Sequence, residues 1–155
     1  MSPAHEPIIP ALAERGHLAC SEAELVAWGK RVGRVATPPL VVTISGELGA
    51  GKTTLVRAVC AGYGATAEVT SPTFNLVHRY PASKSLVYHV DLYRVRSPDE
   101  LTNLGWDEML ADDALVLIEW PERAGGRIPH LHVPISLQHL PDEPDKRLLY
   151  AGGHV

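Results

Sequence analysis

The stretch Thr43–Ala58, "TISGELGAGKTTLVRA", decides the fold. Its spacing G-x-x-x-x-G-K-T, from Gly46 to Thr53, is a full match to the phosphate-binding P-loop. Glycines let the backbone curl so that successive N–H groups point at phosphate oxygens, and the following helix adds its positive dipole end. We predict that Lys52 reaches the β- and γ-phosphates and that the Thr53 hydroxyl binds Mg²⁺. The full set of predicted loop contacts is Gly46, Glu47, Leu48, Gly49, Ala50, Gly51, Lys52, Thr53 and Thr54.

A strand before the loop and a helix after it give the motif its expected context. Leu40–Ile44, "LVVTI", is β-branched and almost wholly apolar, which is typical of a central strand covered on both faces. The helix after the loop is predicted over Lys52–Ala61. An earlier helix is predicted over Glu22–Val35, because Ser21 and Glu24 form a capping box.

Further strands are predicted in pairs. "FNLVHRY" and "SLVYHVDLY" indicate a hairpin, which is an unusual sequel to a P-loop. "DELTNLG" and "WDEML" favour short helical turns, and "ALVLIEW" indicates a second buried strand. "HLHVPISLQHL" and "KRLLYAG" are expected to form a terminal strand pair, divided by "PDEPD".

Length and composition favour one domain with one main chemistry. The 155 residues match a common domain size, and the proline-rich residues 1–17 are predicted to be a flexible tail ahead of a single domain over 18–155. No apolar run is long enough for a membrane span, and the start of the chain is too acidic and proline-broken for a secretory signal. We therefore expect a cytoplasmic protein, in which Cys20 and Cys60 are small buried side chains.

The charge balance argues against strong direct binding to nucleic acid. The net charge is −4, from 14 basic and 18 acidic residues, so no overall basic field is available to hold a phosphate backbone. Any link to RNA is expected to run through a partner.

Two carboxylates are candidates for the metal and for catalysis. Glu119 stands at the end of "ALVLIEW", where a P-loop enzyme needs an acid to hold Mg²⁺ directly or through water. Asp91, at the end of "LVYHVD", could complete the metal shell or orient a water. The alternatives are a solvated strand end for Glu119 and an ordinary cap for Asp91. The predicted catalytic set is Lys52, Asp91 and Glu119.

Three other features leave alternatives open. Thr73, in "TSPTF", could sense the γ-phosphate as switch loops do, or could belong to a turn that starts a strand. His130 and His132 would share one face of a strand and could hold a metal, although a solvated face is favoured. Trp120 could seal the edge of the core or lie on a docking surface with Arg94.

The base and the reaction are open to rival interpretations. Guanine-reading motifs are missing, since no N-K-x-D occurs and no D-x-x-G follows the hairpin, so adenine is the better prediction. A small-molecule P-loop kinase is the main rival, and it would need a lid, for which Arg123 and Arg127 are the only candidate pair. A third possibility is a scaffold that binds nucleotide without turnover.

Four motifs together resemble one known family. "GELGAGKTT", "TSPTF", "YHVDLYR" and "LVLIEWPE", in this order, closely resemble the bacterial TsaE (formerly YjeE) family of P-loop ATPases, which are needed for the threonylcarbamoyladenosine (t6A) modification of tRNA. The likeness runs from about Ser21 to Tyr150. It implies an α/β, three-layer P-loop NTPase-like fold with a mixed parallel/antiparallel sheet, Mg²⁺-dependent ATP hydrolysis, and a partnership with TsaD and TsaB.

The resemblance also implies roles for single residues. Thr53 and Glu119 match the family's magnesium positions, Asp91 its "H-x-D-x-Y" acid, and Trp120 the aromatic residue beside the acid. The adenine is implied to lie near the start of the first helix, at Glu22. The expected behaviour is that of a weak ATPase, stimulated by partners, which acts as a nucleotide-dependent switch on the TsaB–TsaD transferase pair.

Overall fold

The fold is that of a computed structural model, which describes residues 17–69 and 76–151. Thr73 and nearly all of the predicted tail lie outside the described residues, so both stay predictions. The strands are β1 His17–Ser21, β2 Leu40–Ser45, β3 Val77–Pro81, β4 Leu86–Asp91, β5 Leu115–Glu119, β6 Val133–His139 and β7 Lys146–Ala151. The helices are α1 Glu22–Val35, α2 Lys52–Tyr63, α3 Asp99–Thr102, α4 Trp106–Ala111 and a 3₁₀ helix, Pro121–Ala124.

All seven described strands form one sheet in the order β1-β7-β6-β2-β5-β4-β3. The centre is parallel, because β2 pairs with both β5 and β6 and β5 also pairs with β4 in the same direction. The outer pairs β3–β4, β6–β7 and β1–β7 are antiparallel. The predicted hairpin, terminal strand pair and central strand are confirmed, and so is the mixed sheet.

Helices cover the sheet on both faces, which gives three layers. In β5 the side chains alternate: Leu115 and Leu117 enter a core beneath α1 and α2, and Val116 and Ile118 enter a second core beneath α3 and α4. All five residues of β5 are buried, as expected of a parallel strand with helices on both sides.

Helices α1 and α2 touch through their backbones. A Cβ atom at Gly33 would overlap the backbone of Val59, and one at Gly62 would overlap the backbone of Lys30. Both positions therefore accept only glycine without movement of a helix. This contact joins the helix that follows β1 to the helix that follows the glycine-rich loop.

The elements missed or misplaced by the sequence are few. Strand β1 was not predicted. Its first residue, His17, is the last residue of the predicted tail. Helix α2 ends at Tyr63, two residues beyond the predicted Ala61. The expectation that His130 and His132 share a strand face is wrong, because β6 begins only at Val133.

Two smaller expectations concern the cysteines and membranes. Cys20 and Cys60 are both buried and unpaired, as predicted, and burial raises the pKa of the Cys60 thiol to about 12. Within the described ranges, no helix combines the length and the apolar character that crossing a bilayer requires.

Candidate functional site

The glycine-rich loop, residues 46–53, connects the end of β2 to the start of α2. A Cβ atom at Gly46 would lie 2.5 Å from the carbonyl oxygen of Leu137, so the loop starts against the backbone of β6. Gly51, immediately before α2, has φ 103°, in the left-handed region that glycine adopts without steric strain. The sequence pattern therefore corresponds to real backbone requirements at both ends of the loop.

Lys52 is held over its own loop. Its Nζ donates hydrogen bonds to the carbonyl oxygens of Gly46, at 2.5 Å, and Glu47, at 2.8 Å. The residue is 6% exposed, and burial lowers the pKa of its ammonium group against the opposing effect of the Glu119 and Asp91 carboxylates. The Lys52 side chain is thus folded back over the loop, and its ammonium group is bonded to two loop carbonyls.

Two side chains from the terminal strands hold the next two carbonyls of the loop. The His139 ring nitrogen Nε2 lies 3.4 Å from the carbonyl oxygen of Leu48, and Arg147 Nη2 donates to that of Gly49 at 3.3 Å. In a trans peptide the C=O of one residue and the N–H of the next point in opposite directions. These two contacts therefore orient the N–H of each following residue away from His139 or Arg147. Sequence analysis missed both residues, since neither belongs to a recognisable motif.

The predicted carboxylates lie side by side. Asp91 and Glu119 are paired Cα partners at the carboxyl ends of the parallel strands β4 and β5. They line one cavity of about 370 Å³, here called the acidic cavity, together with the end of the glycine-rich loop. Its lining is Leu48, Gly49, Gly51, Lys52, Thr53, Thr54, Asp91, Tyr93, Glu119 and Trp120. The structure therefore brings together Lys52, Thr53 and both acids, as the sequence predicted.

The two acids have different surroundings. Asp91 is half-buried, and burial, with a smaller contribution from the charge of Glu119, raises the pKa of its carboxyl group. The backbone N–H of Tyr93 donates to Asp91 Oδ1 at 3.0 Å and partly offsets this effect. Glu119 is only 3% exposed, so the alternative of a solvated strand end is wrong.

Glu119 has a buried partner that sequence analysis did not identify. The distance from His89 Nε2 to Glu119 Oε2 is 2.7 Å, and His89 is fully buried. His89 Nδ1 is also buried and has no hydrogen-bond partner among the described residues. The histidine was visible as part of "YHVD", but only the register of β4 against β5 reveals that it reaches Glu119.

Trp120 lies between the alternatives that the sequence left open. Its ring packs partly against the second core, and it is 5.0 Å from the ring of Tyr93, so it does help to close the core edge. It also lines the acidic cavity. Its backbone is left-handed, with φ 60°, which is an outlier for a bulky residue.

A second cavity, of about 450 Å³, opens at the start of α1 and is here called the α1 cavity. It contains Glu22, the position that the family resemblance places near adenine. Its lining is Ser21, Glu22, Leu25, Gly49, Ala50, Gly51, Thr54, Pro144, Asp145 and Arg147. The α1 cavity and the acidic cavity share Gly49, Gly51 and Thr54, so the two lie on either side of the same loop.

The two arginines that a kinase lid would need, Arg123 and Arg127, do not act together in the structure. Arg127 donates to Thr102 Oγ1 at 2.8 Å and to the Pro98 carbonyl at 3.3 Å, and it lies 3.4 Å from an Asp107 oxygen. It therefore fastens the loop after the 3₁₀ helix to α3 and α4. Arg123 faces a cavity of about 760 Å³ that also contains Gly46 and Glu47.

The donor set of the acidic cavity fits a magnesium ion. Thr53, Asp91 and Glu119 all offer oxygen, the donor that Mg²⁺ prefers. The described residues contain no cluster of three or more His, Cys, Asp or Glu side chains suited to hold a metal ion. A site with few protein ligands is suited to Mg²⁺, which usually keeps waters and bridges to phosphate oxygens.

Comparison with known proteins gives the same family as the motifs. The family model described as threonylcarbamoyl adenosine biosynthesis protein TsaE matches residues 19–148. The chain belongs to the TsaE family. A TsaE protein of Haemophilus influenzae is 32% identical over 133 residues, covering 83% of this chain and 84% of its own length. The TsaE protein of Treponema pallidum is 38% identical, and the match covers 79% of this chain and 90% of its own length.

A solved structure supports the TsaE fold. The crystal structure of YdiB from Bacillus subtilis superimposes with a TM-score of 0.69 at 27% sequence identity, and the match covers 87% of this chain and 84% of YdiB. The predicted three-layer α/β fold is thus confirmed, together with membership of a family involved in threonylcarbamoyladenosine biosynthesis.

Proposed function

We propose that this TsaE protein binds ATP and Mg²⁺ and hydrolyses ATP to ADP with release of the γ-phosphate. It acts as a nucleotide-dependent switch on the TsaB–TsaD transferase pair in the cytoplasm. The observation that carries the proposal is the acidic cavity. There the lysine of the glycine-rich loop, the first threonine of α2 and two strand-end acids line one space of about 370 Å³. This combination is the one that phosphoryl transfer requires.

Four residues of the cavity have roles in this proposal. Lys52 and the loop N–H groups bind the β- and γ-phosphates and stabilise charge on the γ-phosphoryl oxygens. Thr53 and Glu119 hold Mg²⁺, with Asp91 as a further ligand or as the residue that orients the attacking water. The bound ion neutralises charge that develops on the phosphate oxygens.

The adenine is proposed to occupy the α1 cavity. That cavity reaches the glycine-rich loop from the opposite side to the acids and contains Glu22 and Leu25. A nucleotide would therefore cross over Gly49 and Gly51, with its base against α1 and its phosphates towards α2. Binding of adenine here is supported by the family resemblance and by the two cavities that meet at the loop.

A switch role is supported by the openness of the site. Tyr93 and Leu48 border the acidic cavity and are 38% and 64% exposed, so a partner docking there would touch residues next to the nucleotide. Hydrolysis would change the charge of the ligand at that border. Because coupling between two binding events is reciprocal, partner binding would in turn alter ATP turnover.

The deciding experiment measures phosphate release by the purified chain, alone and with TsaB and TsaD, at fixed Mg²⁺ and ATP. The expected result is slow release alone and a several-fold increase with both partners. Unchanged turnover would contradict the switch, and tight ATP binding without release under either condition would favour a non-hydrolysing scaffold.

The small-molecule kinase is the second candidate. The cavity beside Arg123, of about 760 Å³, is large enough for a metabolite, which is the observation in its favour. One of the two candidate lid residues, Arg127, is bonded to Thr102 instead. A comparison of free phosphate with phosphate transferred to a metabolite mixture separates the two functions, since a kinase would form phosphorylated product in proportion to ATP consumed.

A further inference from the structure

We propose that His89 is a positioning residue, which holds the Glu119 carboxylate ready for a divalent cation through a hydrogen bond from Nε2–H to Oε2. This inference deepens the proposed function and rests on it. His89 does not line the acidic cavity, so it would act through Glu119 and not on the nucleotide.

The sheet register creates this contact. Glu119 is paired with Asp91 across β4 and β5, and His89 lies two residues before Asp91 on the same face of β4. The Glu119 side chain reaches diagonally back to His89, where its Oε2 accepts at 2.7 Å. One oxygen of the carboxylate is thus fixed from the protein interior, and Oε1 is the oxygen available for the cation or its bound water.

The direction of the hydrogen bond follows from the surroundings of the ring. An ionised carboxylate can only accept, so Nε2 must carry the proton. Nδ1 is buried without a partner among the described residues, and a proton there would be a donor with no acceptor. The tautomer with its proton on Nε2 is the one that these contacts favour.

Positioning of this kind has a characteristic effect on metal sites. Partners that hydrogen-bond a ligating carboxylate fix its orientation, and their loss typically weakens metal binding by about 10- to 100-fold. A glutamate has three side-chain torsions, so an unbound carboxylate at the end of β5 would sample orientations that face away from the cation.

The test uses Mn²⁺ as the probe. Its dissociation constant from the full chain with saturating ADP is measured from the electron paramagnetic resonance signal of free Mn²⁺, with ADP alone as the blank. His89→Leu removes the donor, and His89→Gln retains one near the position of Nε2. Tyr88→Phe is the matched control, because it removes a hydrogen bond to Asp112, 2.7 Å long, from the opposite face of the same strand.

We expect His89→Leu to weaken Mn²⁺ binding about 10- to 100-fold, and His89→Gln to restore it to within about threefold. Tyr88→Phe should leave it unchanged. Wild-type affinity in His89→Leu overturns the inference while leaving the proposed function intact. Failure of the wild type to take up Mn²⁺ beyond the ADP blank overturns the proposed function as well.

A second measurement does not depend on the folding of any variant. The nitrogen-15 NMR spectrum of the wild-type protein should show a His89 ring with a slowly exchanging proton on Nε2 and none on Nδ1. The ring signals are assigned in the wild-type protein itself, by through-bond correlation of the ring with the His89 backbone. A His89 ring with no proton on Nε2 contradicts the proposed donor and overturns the inference.

Discussion

The Lys52 Nζ lies 4.5 Å from the centroid of the Trp120 ring, in a cation–π contact between two residues that line the acidic cavity. The ring reaches this place because the Trp120 backbone is left-handed, with φ 60° and ψ 51°. No other non-glycine residue in the described ranges has a positive φ. Residues with strained backbone angles cluster at active and ligand-binding sites. The backbone of Trp120, next to Glu119, fits this pattern.

The strain can be measured with two variants. Trp120→Gly should be more stable than Trp120→Ala by about 1 kcal/mol, because both lose the ring but only alanine keeps the left-handed penalty. Urea unfolding gives the difference. At Ala27, which is exposed in the interior of α1, the order should reverse, with Ala27→Gly less stable than the wild type by about 1 kcal/mol. Equal stability of the two Trp120 variants would show that the backbone is not strained.

Replacement of Lys52 by alanine tests the proposed phosphate contacts. Lys52→Ala should abolish ATP hydrolysis and weaken ATP binding more than ADP binding, because the ammonium charge acts mainly on the β- and γ-phosphates. Calorimetric titration with both nucleotides provides the comparison. An equal loss of affinity for ATP and ADP would contradict the placement of Lys52.

Glu119 variants separate metal binding from stability. Glu119→Gln keeps an oxygen that can accept from His89, so the fold should be nearly unaffected while Mg²⁺-dependent turnover falls by at least about 10-fold. Glu119→Ala should lose the same activity and also about 1–3 kcal/mol of unfolding free energy, because the buried His89 donor is left without an acceptor. Wild-type turnover in Glu119→Gln would remove the glutamate from the catalytic set.

The raised pKa of Asp91 predicts a pH-dependent gain in stability on mutation. A carboxyl group whose pKa is higher in the folded than in the unfolded state opposes folding when it is ionised, at neutral pH, and no longer does so once the pH falls below its unfolded value. Asp91→Asn should therefore stabilise the protein at pH 7, by well under about 1 kcal/mol because the group is half-exposed and screened by solvent.

The control for Asp91 is a carboxyl in an exposed turn. Asp142→Asn should change the urea midpoint little at any pH. For Asp91→Asn the gain should be lost as the pH falls through the folded-state pKa of Asp91 towards its unfolded value. A gain that grows on acidification would have the wrong sign and would exclude Asp91 as its source.

The charge balance predicts weak binding of RNA by the isolated chain. With a net charge of −4, the purified protein should bind tRNA weakly and without sequence preference at physiological salt. A gel-shift titration with modified and unmodified tRNA measures this. Tight binding by the chain alone would contradict a role that reaches tRNA through partners.

Most of the site was predictable because it is local in sequence or lies at strand ends. The glycine-rich loop is contiguous, and Asp91 and Glu119 each end an apolar run, which places both at the same edge of a parallel sheet. The start of α1 was predicted correctly because Ser21 and Glu24 form a complete capping box, and Pro38 and Pro39 indicated where it ends. Local chemistry of this kind needs no knowledge of the tertiary fold.

What the sequence could not provide depends on register and on long-range neighbours. His89 contacts Glu119 across 30 residues, and Arg147 reaches the Gly49 carbonyl across 98. Strand β1 was missed because it is a five-residue edge strand whose partner, β7, lies at the other end of the described chain. Arg127, which the sequence offered only as a candidate lid residue for a rival kinase, is bonded to residues at the start of α3 and in α4.

The backbone contact of α1 with α2 makes the two helices a single mechanical unit. At Gly33 and Gly62 the two backbones meet directly, and at Gly29 the side chains of Leu55 and Ala58 pack against α1. The start of α1 and the start of α2 each border a cavity, and this close contact fixes the position of one helix relative to the other. If a nucleotide spans the two cavities, the distance between its base site and its phosphate site stays constant. Movement linked to hydrolysis is then expected in the loops and strand ends that face the phosphates from the side opposite these helices.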